Sequence, residues 1–252
     1  SDIQQAAAAL LRRASGWVMI SDRLHQVLSL RYSCIPNKSI VLHNPAPLTD
    51  NSSRAEDLKT TTFRLAYAGS IWPMHYDALI AVATSVHLLR QEGLPIELVL
   101  YTPHSFWEVH KNKFNKLGTV YGGFVSPDKL IATLQTANLL LVANAFSSEN
   151  EHMVRHSVLT KLTDYMGTGR AIFACGPSYS ASHEFIRKWN CGFICESNDP
   201  RIIKQQLAAL MNDSDLLNDV AERAHQVARQ VFDGQKIRAA FHYFCRDVAG
   251  AA

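Results

Sequence analysis

The feature that most constrains this chain is the alternation of short apolar runs with helical patterns along almost its whole length. The runs LLLVA at 139–143 and AIFA at 171–174 are apolar at every residue, as expected of parallel strands covered on both faces. Helical patterns of about 10–15 residues separate such runs, which is the spacing of βαβ crossovers. The pattern therefore predicts an α/β fold built on a doubly wound parallel sheet.

Composition and charge exclude several classes of protein. Of the 252 residues, 47% are hydrophobic and 19% are charged, which is the balance of an ordinary globular chain. No apolar run approaches the ~18 residues that a membrane-spanning helix needs. The net charge of +3 is not concentrated in one block, and no DNA-reading motif occurs, so we expect no nucleic-acid partner.

The cysteines indicate the compartment. Five cysteines at wide spacings do not form the even, closely spaced set of a disulfide framework, so we expect a reducing cytoplasm. The mild positive charge leaves open a peripheral contact with the inner face of the membrane. The histidines, cysteines and carboxylates show no metal-ligand spacing, so no metal site is predicted.

One stretch without periodicity divides the chain. Residues 47–62 are mostly polar and are predicted to be a linker. Before it, residues 1–46 hold two helical and two strand-like patterns. After it, residues 63–213 carry the main alternation of strands and helices, and residues 214–252 form closing helices.

A glycine turn follows the first strand after the linker. Ligands of doubly wound sheets bind at the carboxyl ends of the strands, so Gly69 and Ser70 are placed where a ligand would lie. A glycine there lets a phosphate approach backbone N–H groups. Neither the GxGxxG nor the GxxxxGK[ST] pattern is present. An ordinary tight turn is therefore an equal alternative.

A later helix carries charged residues on one face. Ser157 is predicted to cap a helix over 158–166, in which Lys161 and Asp164 share one side and Leu162 lies on the other. A cation, a carboxylate and a helix N-terminus suit a phosphorylated sugar, with the carboxylate on ribose hydroxyls. The alternative is a solvated ion pair at i, i+3.

The sequence around these residues resembles that of a known protein family. The stretch SVLTKLTDYMGTGRAIFA at 157–174 resembles the (S/P)-x-K-x-x-E signature of GT-B glycosyltransferases, in particular the glycosyltransferase 4 group. The segments FRLAYAGSIWP, IELVLYTP and VYGGFVSPDKLIATLQTANLLLVA resemble the strands of that family's C-terminal domain, in order. The resemblance implies a Rossmann-like C-terminal domain, with residues 1–46 as the end of the N-terminal domain. The chain would then be part of a longer enzyme, inactive alone.

The resemblance also implies an activity. Such an enzyme moves a sugar from a nucleotide-diphosphate sugar to a glycan or lipid-linked acceptor, as in polysaccharide biosynthesis. It commonly retains the anomeric configuration and uses neither a metal nor another cofactor. The residues implied at the catalytic centre are His156, Lys161 and Asp164, and those implied in donor binding are Gly69, Ser70, Gly122, Gly123, Phe124, Val125 and Ser157.

Two departures from the family pattern keep other functions open. His156 stands where the first of two glutamates is expected, and Asp164 replaces the second. The segment SIWPMHYD lacks the usual Arg or Lys that faces the diphosphate, so His75 is the candidate cation there. The alternatives are a non-catalytic GT-B domain that binds a nucleotide or a partner, and a nucleotide-sugar 2-epimerase.

Overall fold

The computed structural model describes residues 2–34, 36–48, 61–156 and 160–250. The strands are Trp17–Met19 (β1), Ser39–Val41 (β2), Phe63–Ala68 (β3), Ile96–Tyr101 (β4), Val120–Gly123 (β5), Leu139–Ala143 (β6), Ala171–Cys175 (β7) and Phe193–Cys195 (β8). The helices are Asp2–Arg13 (α1), Asp22–Tyr32 (α2), Pro73–Gln91 (α3), His104–Lys116 (α4), Pro127–Leu134 (α5), Glu151–His156 (α6), Thr160–Met166 (α7), Ala181–Trp189 (α8), Pro200–Met211 (α9), Ser214–Val231 (α10) and Gly234–Ala249 (α11).

The main sheet has six parallel strands in the order β5-β4-β3-β6-β7-β8. The chain runs outward from β3 through β4 to β5, then returns to add β6 on the other side of β3. The strand order therefore reverses between β3 and β6, which is the switch point of a doubly wound fold. The predicted α/β, Rossmann-like parallel sheet is confirmed. The strands β1 and β2 form a separate parallel pair.

The core has one layer on each face of the sheet. On β6, Leu139 and Leu141 pack in the layer that contains α3 and α9, while Leu140 and Val142 pack in the layer that contains α7 and α10. Successive side chains of a strand point to opposite faces, so a strand covered on both sides must be apolar at every position. This explains the unbroken run that predicted β6.

The small N-terminal part contacts the main sheet domain at several points. The Ser21 hydroxyl donates to the His156 carbonyl at 3.4 Å, and Lys38 pairs with Asp247 at 2.9 Å. A Cβ added at Gly16 would lie 2.8 Å from a ring carbon of Phe244. Helix α11 therefore packs closely against the turn before β1, and the closing helices join the two parts of the chain.

The segment between β6 and α7 has no apolar periodicity in its sequence, but it is not a simple loop. A 3-10 turn spans Ser148–Asn150, and Glu151–His156 is helical. Val154 is fully buried, and Glu151 pairs with Arg155 one turn later. A single buried anchor and one i, i+4 pair are too short a pattern for periodicity to detect. Most of the predicted linker over 47–62, and Ser157, lie outside the described residues.

Candidate active site

The carboxyl ends of β3 and β4, the turn after β5 and helix α7 surround a cavity of about 340 Å³, called the site pocket below. Its lining comprises Ala68, Gly69, Ser70, Trp72, Tyr101, Pro103, Phe124, Val125, Leu130, Thr160, Lys161 and Asp164. The structure thus brings together Gly69, Ser70, Phe124, Val125, Lys161 and Asp164 from the predicted set. They lie beside the strand-order reversal, where parallel sheets bind their ligands.

The Lys161 side chain runs directly beneath Gly69. A Cβ at Gly69 would lie 2.5 Å from Cε of Lys161, and Gly69 has a φ of +129°. Both its backbone conformation and its missing side chain are therefore required, because any other residue would be strained and would displace the lysine. The Lys161 Nζ then sits 5.1 Å from the centroid of the Tyr67 ring, within cation–π range.

The charges of Lys161 and Asp164 are both disfavoured by burial. Burial lowers the pKa of Lys161 to about 8, and the Asp164 carboxylate opposes that shift. Burial likewise raises the pKa of Asp164, and Lys161 opposes that shift. Within the described residues, no ion pair of 4.0 Å or less includes either side chain. The site pocket therefore holds an ammonium and a carboxylate whose charges are only partly compensated.

Two tyrosines hold the turn after β3. The Tyr67 hydroxyl donates to the Ser70 carbonyl at 2.8 Å, and the Ala68 N–H donates to the Tyr165 hydroxyl at 2.8 Å. The Gly69 N–H donates to the Tyr101 carbonyl at 2.8 Å, so it is not available to a ligand. In the described part of the chain, no protein acceptor is bonded to the Ser70 N–H. Gly69 therefore provides space, and Ser70, which lines the pocket, has a backbone N–H with no acceptor in the described part of the chain.

The two tyrosines were not singled out from the sequence. Each lies next to a residue that was, Tyr67 near Gly69 and Tyr165 beside Asp164. Both are almost completely buried. A buried tyrosine usually finds a hydrogen-bond partner for its hydroxyl, so a tyrosine in a core strand indicates that its hydroxyl fixes a nearby loop by a hydrogen bond. The sequence does not show which loop that hydroxyl bonds.

His75 is buried behind Lys161 rather than exposed to the pocket. Its Nδ1 lies 2.8 Å from the Ala143 carbonyl, and its Nε2 lies 3.4 Å from Nζ of Lys161. Burial, reinforced by the neighbouring Lys161 charge, lowers the pKa of His75 to about 4. The imidazole is therefore neutral at physiological pH. The expectation that His75 supplies a positive charge is wrong, because a group without access to water cannot keep a proton beside a lysine.

One part of the site-pocket wall is apolar. Tyr101, Pro103, Val125 and Leu130 line it, and at the rim the Phe124 and Trp72 side chains are 68% and 53% exposed. The Trp72 ring meets Phe106 edge to face, with centroids 4.8 Å apart. Exposed aromatic rings beside an apolar wall offer a surface on which a planar ring can stack.

Three other predicted residues, Gly122, Gly123 and His156, are not part of the site-pocket lining. A side chain at Gly122 would collide with the Tyr101 ring, so this glycine makes room for a pocket wall. Gly123 has a φ of +80° and open space around it, as a turn residue does. His156 ends α6, where its Nδ1 lies 2.7 Å from the His152 carbonyl. The placement of Ser157 falls outside the described residues.

A second cavity of about 320 Å³ opens between α3, α4 and the loop after β6, and is called the α3–α4 groove. Its lining comprises Ile71, Pro73, Tyr76, Asp77, His110, Ser147 and Asn150. The Asp77 carboxylate accepts hydrogen bonds from the N–H groups of Phe146 and Ser147, both at 3.0 Å. Asp77 therefore fixes the loop after β6, and its oxygens are already satisfied by the backbone.

The described residues contain neither a candidate metal cluster nor a candidate membrane span. Within that range, no three His, Cys, Asp or Glu side chains form a group that could hold a metal ion. No helix in the same range has the length and apolar character needed to cross a membrane.

Solved structures resemble this chain in fold, whereas comparisons of sequence find no match. No protein-family model matches the chain, and no curated protein matches its sequence. A sucrose-phosphate synthase from Thermosynechococcus elongatus superposes with a TM-score of 0.73 at 10% identity, covering 99% of this chain and 62% of that one. Anabaena HepE in complex with UDP-glucose gives 0.68 at 13% identity, with 95% and 67% covered. A glycosyltransferase from Rickettsia africae gives 0.70 at 13% identity, with 100% and 68% covered.

These similarities establish the fold. The chain has the parallel α/β fold of GT-B glycosyltransferases, and it spans 62% of the length of the sucrose-phosphate synthase chain. At such low identity the chemistry of the site has to be argued from its own residues.

Proposed function

We propose that the chain is the donor-binding part of a glycosyltransferase that moves a sugar from a nucleotide-diphosphate sugar to a glycan or lipid-linked acceptor. The observation that carries this proposal is the Lys161 ammonium, which lies half-buried beneath the glycine turn at the switch point and forms no ion pair with a carboxylate among the described residues. A buried cation without a close counter-charge is costly. An anionic group of a ligand in the site pocket would offset that cost.

In this proposal, the diphosphate, the ribose and the base of the nucleotide each contact a different part of the site pocket. The diphosphate takes hydrogen bonds from Lys161 and the Ser70 N–H. The Asp164 carboxylate accepts from ribose hydroxyls, and the base lies against Val125 with Phe124 and Trp72 at the rim. In this arrangement the pKa of Lys161 rises on binding, because the diphosphate favours the charged ammonium.

The same contacts would assist sugar transfer. In the reaction, the bond between the anomeric carbon and the diphosphate oxygen breaks, and the acceptor hydroxyl oxygen forms the new glycosidic bond. The proton of that hydroxyl passes to the departing diphosphate. Negative charge grows on the departing diphosphate, and the Lys161 ammonium is placed to stabilise it. We propose that transfer retains the anomeric configuration and that this charge is met by the chain's own groups, without a metal.

Several structural neighbours support a nucleotide sugar as the ligand. Structures of Anabaena HepE contain UDP-glucose, UDP, or UDP with glucose. The pneumococcal O-GlcNAc transferase GtfA was solved with UDP and GlcNAc. UDP is therefore the first nucleotide to test, although those proteins are only 12–14% identical to this chain.

Titration calorimetry of the chain with UDP, GDP, ADP and CMP tests the proposal. We expect saturable binding of one nucleoside diphosphate, weakened at least tenfold by Lys161→Met and by Asp164→Ala. Lys111→Met is the matched control, since Lys111 is a surface lysine paired with Glu108. The absence of binding to UDP, GDP and ADP, or equal binding by the Lys161 and Lys111 variants, would contradict the proposal.

One observation favours a second candidate, a nucleotide-binding domain that does not catalyse transfer. His156, at the position of an expected glutamate, lies outside the lining of the site pocket, and His75 is neutral. The two candidates differ in turnover. Sugar transfer or donor hydrolysis by the full-length protein would support the enzyme, and tight binding without either would support the non-catalytic domain.

A further inference from the structure

The hydrogen bonds of His75 fix which ring nitrogen carries the proton. The Ala143 carbonyl can only accept, so Nδ1, at 2.8 Å, must be the N–H donor. In a neutral ring, Nε2 then carries a lone pair. That lone pair faces Nζ of Lys161 at 3.4 Å, so the ammonium donates and the imidazole accepts.

Among the described residues, few groups near Lys161 could hold its ammonium in place. From β3 it meets the face of the Tyr67 ring, and from its own helix it senses the charge of Asp164 without pairing with it. From α3 it meets His75, and above it lies Gly69. Among these groups, His75 supplies the hydrogen-bond acceptor in contact with Nζ.

We infer that His75 is a positioning residue of this site, whose Nε2 holds the Lys161 ammonium beneath the β3 turn with its remaining N–H groups toward the site pocket. The inference rests on the proposed function for the identity of the anion that Lys161 binds. It departs from the sequence-based expectation, in which His75 itself would carry the charge.

A neutral acceptor suits this task better than a charged group. A carboxylate in place of His75 would pair with Lys161 and compete with an incoming diphosphate. A lysine there would repel Lys161 inside a buried space. A neutral imidazole orients the ammonium and leaves its charge available to a ligand.

Two conservative variants separate the two hydrogen bonds of His75. Asn places its amide near the position of Nδ1, so His75→Asn keeps the bond to Ala143 and loses the acceptor that faces Lys161. Gln reaches the position of Nε2, so His75→Gln keeps an acceptor for Lys161. His183→Asn is the matched control, since His183 is also fully buried and also has its pKa lowered to about 4 by burial.

The first readout is the pH titration of Lys161 itself, followed by NMR of labelled lysine side chains and assigned with Lys161→Met. We expect His75→Asn to lower the apparent pKa of Lys161, because the ammonium loses its acceptor. His75→Gln should titrate closer to the parent protein, and His183→Asn should leave Lys161 unchanged. An unchanged Lys161 titration in His75→Asn would overturn the inference, whether or not any nucleotide binds.

The second readout is affinity for the nucleoside diphosphate that binds among UDP, GDP and ADP. We expect His75→Asn to weaken it about tenfold and His75→Gln less, which is the size of one charge-assisted hydrogen bond. In a Lys161→Met background, His75→Asn should change affinity by less than about twofold, because its effect passes through Lys161. An equal loss in both backgrounds would overturn the inference. Failure of all three nucleotides to bind would refute the proposed function and leave the Lys161 titration to decide the inference.

Discussion

Replacing Gly69 with alanine perturbs the site at its tightest point. The new Cβ would stand 2.5 Å from Cε and 3.0 Å from Nζ of Lys161, and the residue would have to hold a φ of +129°. The backbone strain is worth about 1–3 kcal/mol for a residue other than glycine. The clash involves the flexible end of a lysine, so we expect Lys161 to move rather than the turn.

Displacement of Lys161 should also weaken nucleotide binding. Moving Nζ away from His75 and from the face of Tyr67 would remove the ammonium from the site pocket. We therefore expect Gly69→Ala to weaken nucleoside diphosphate binding by about 10- to 100-fold, a loss of about 1.4–2.8 kcal/mol. We also expect it to lower the free energy of unfolding by about 1–3 kcal/mol.

A control and a double mutant isolate the two effects. Gly93 has a φ of +85° with no atom within 4 Å of an added Cβ, so Gly93→Ala carries backbone strain without a clash. It should destabilise by about 1 kcal/mol and leave binding intact. In a Lys161→Ala background, Gly69→Ala should have no further effect on binding. Chemical denaturation and calorimetry measure both quantities. The reasoning is refuted if Gly69→Ala binds as tightly as Gly93→Ala.

The other predictions concern buried charges, one loop and one aromatic ring. Lys161→Met should raise the free energy of unfolding of the ligand-free protein at pH 7, because the parent keeps a protonated lysine at a buried site. Between pH 8 and 10.5 the unfolded chain binds more protons than the folded one, so the free energy of unfolding of the parent should rise by about 3 kcal/mol. The variant should show no such rise. His183 takes up a proton more readily in the unfolded chain than in the folded protein. The free energy of unfolding of the parent should therefore fall by up to about 3 kcal/mol as the pH drops from 6.5 to 4, and that of His183→Asn should fall by less on acid titration. Asp77→Asn should lower the free energy of unfolding by about 1–3 kcal/mol in urea, because it weakens the acceptor of two backbone N–H groups. Trp72→Phe should remove most of the tryptophan fluorescence change on nucleotide binding, since the other tryptophans do not line the site pocket.

The sheet could be predicted from sequence because its signal is local. The LLLVA run of β6 and the AIFA run of β7 read as strands covered on both faces, and both lie in the centre of the sheet. The sequence predicted Gly69 at the ligand-binding edge because it follows a strand, whereas Phe124 and the role of Lys161 were implied by the family resemblance. The structure places all three residues in the lining of one pocket.

The state of the charges could not be predicted in the same way. The sequence shows that His75 follows a glycine turn, but only the fold shows that it is buried against Lys161 and the Ala143 carbonyl. Gly122 was implied in donor binding, and only the fold shows that its missing side chain makes room for the Tyr101 ring. Burial and contacts between distant residues decide both outcomes, and neither is encoded in local spacing.

The most direct test of the central claim is to locate the bound nucleotide by NMR. The chain would be labelled at lysine side chains and glycine amides and titrated with UDP, GDP and ADP. The account predicts that Lys161 and Gly69 shift together and saturate with one of these nucleotides, and that Asp164→Asn weakens this response. Shifts confined to residues around the α3–α4 groove, or binding that leaves Lys161 unchanged, would contradict the account.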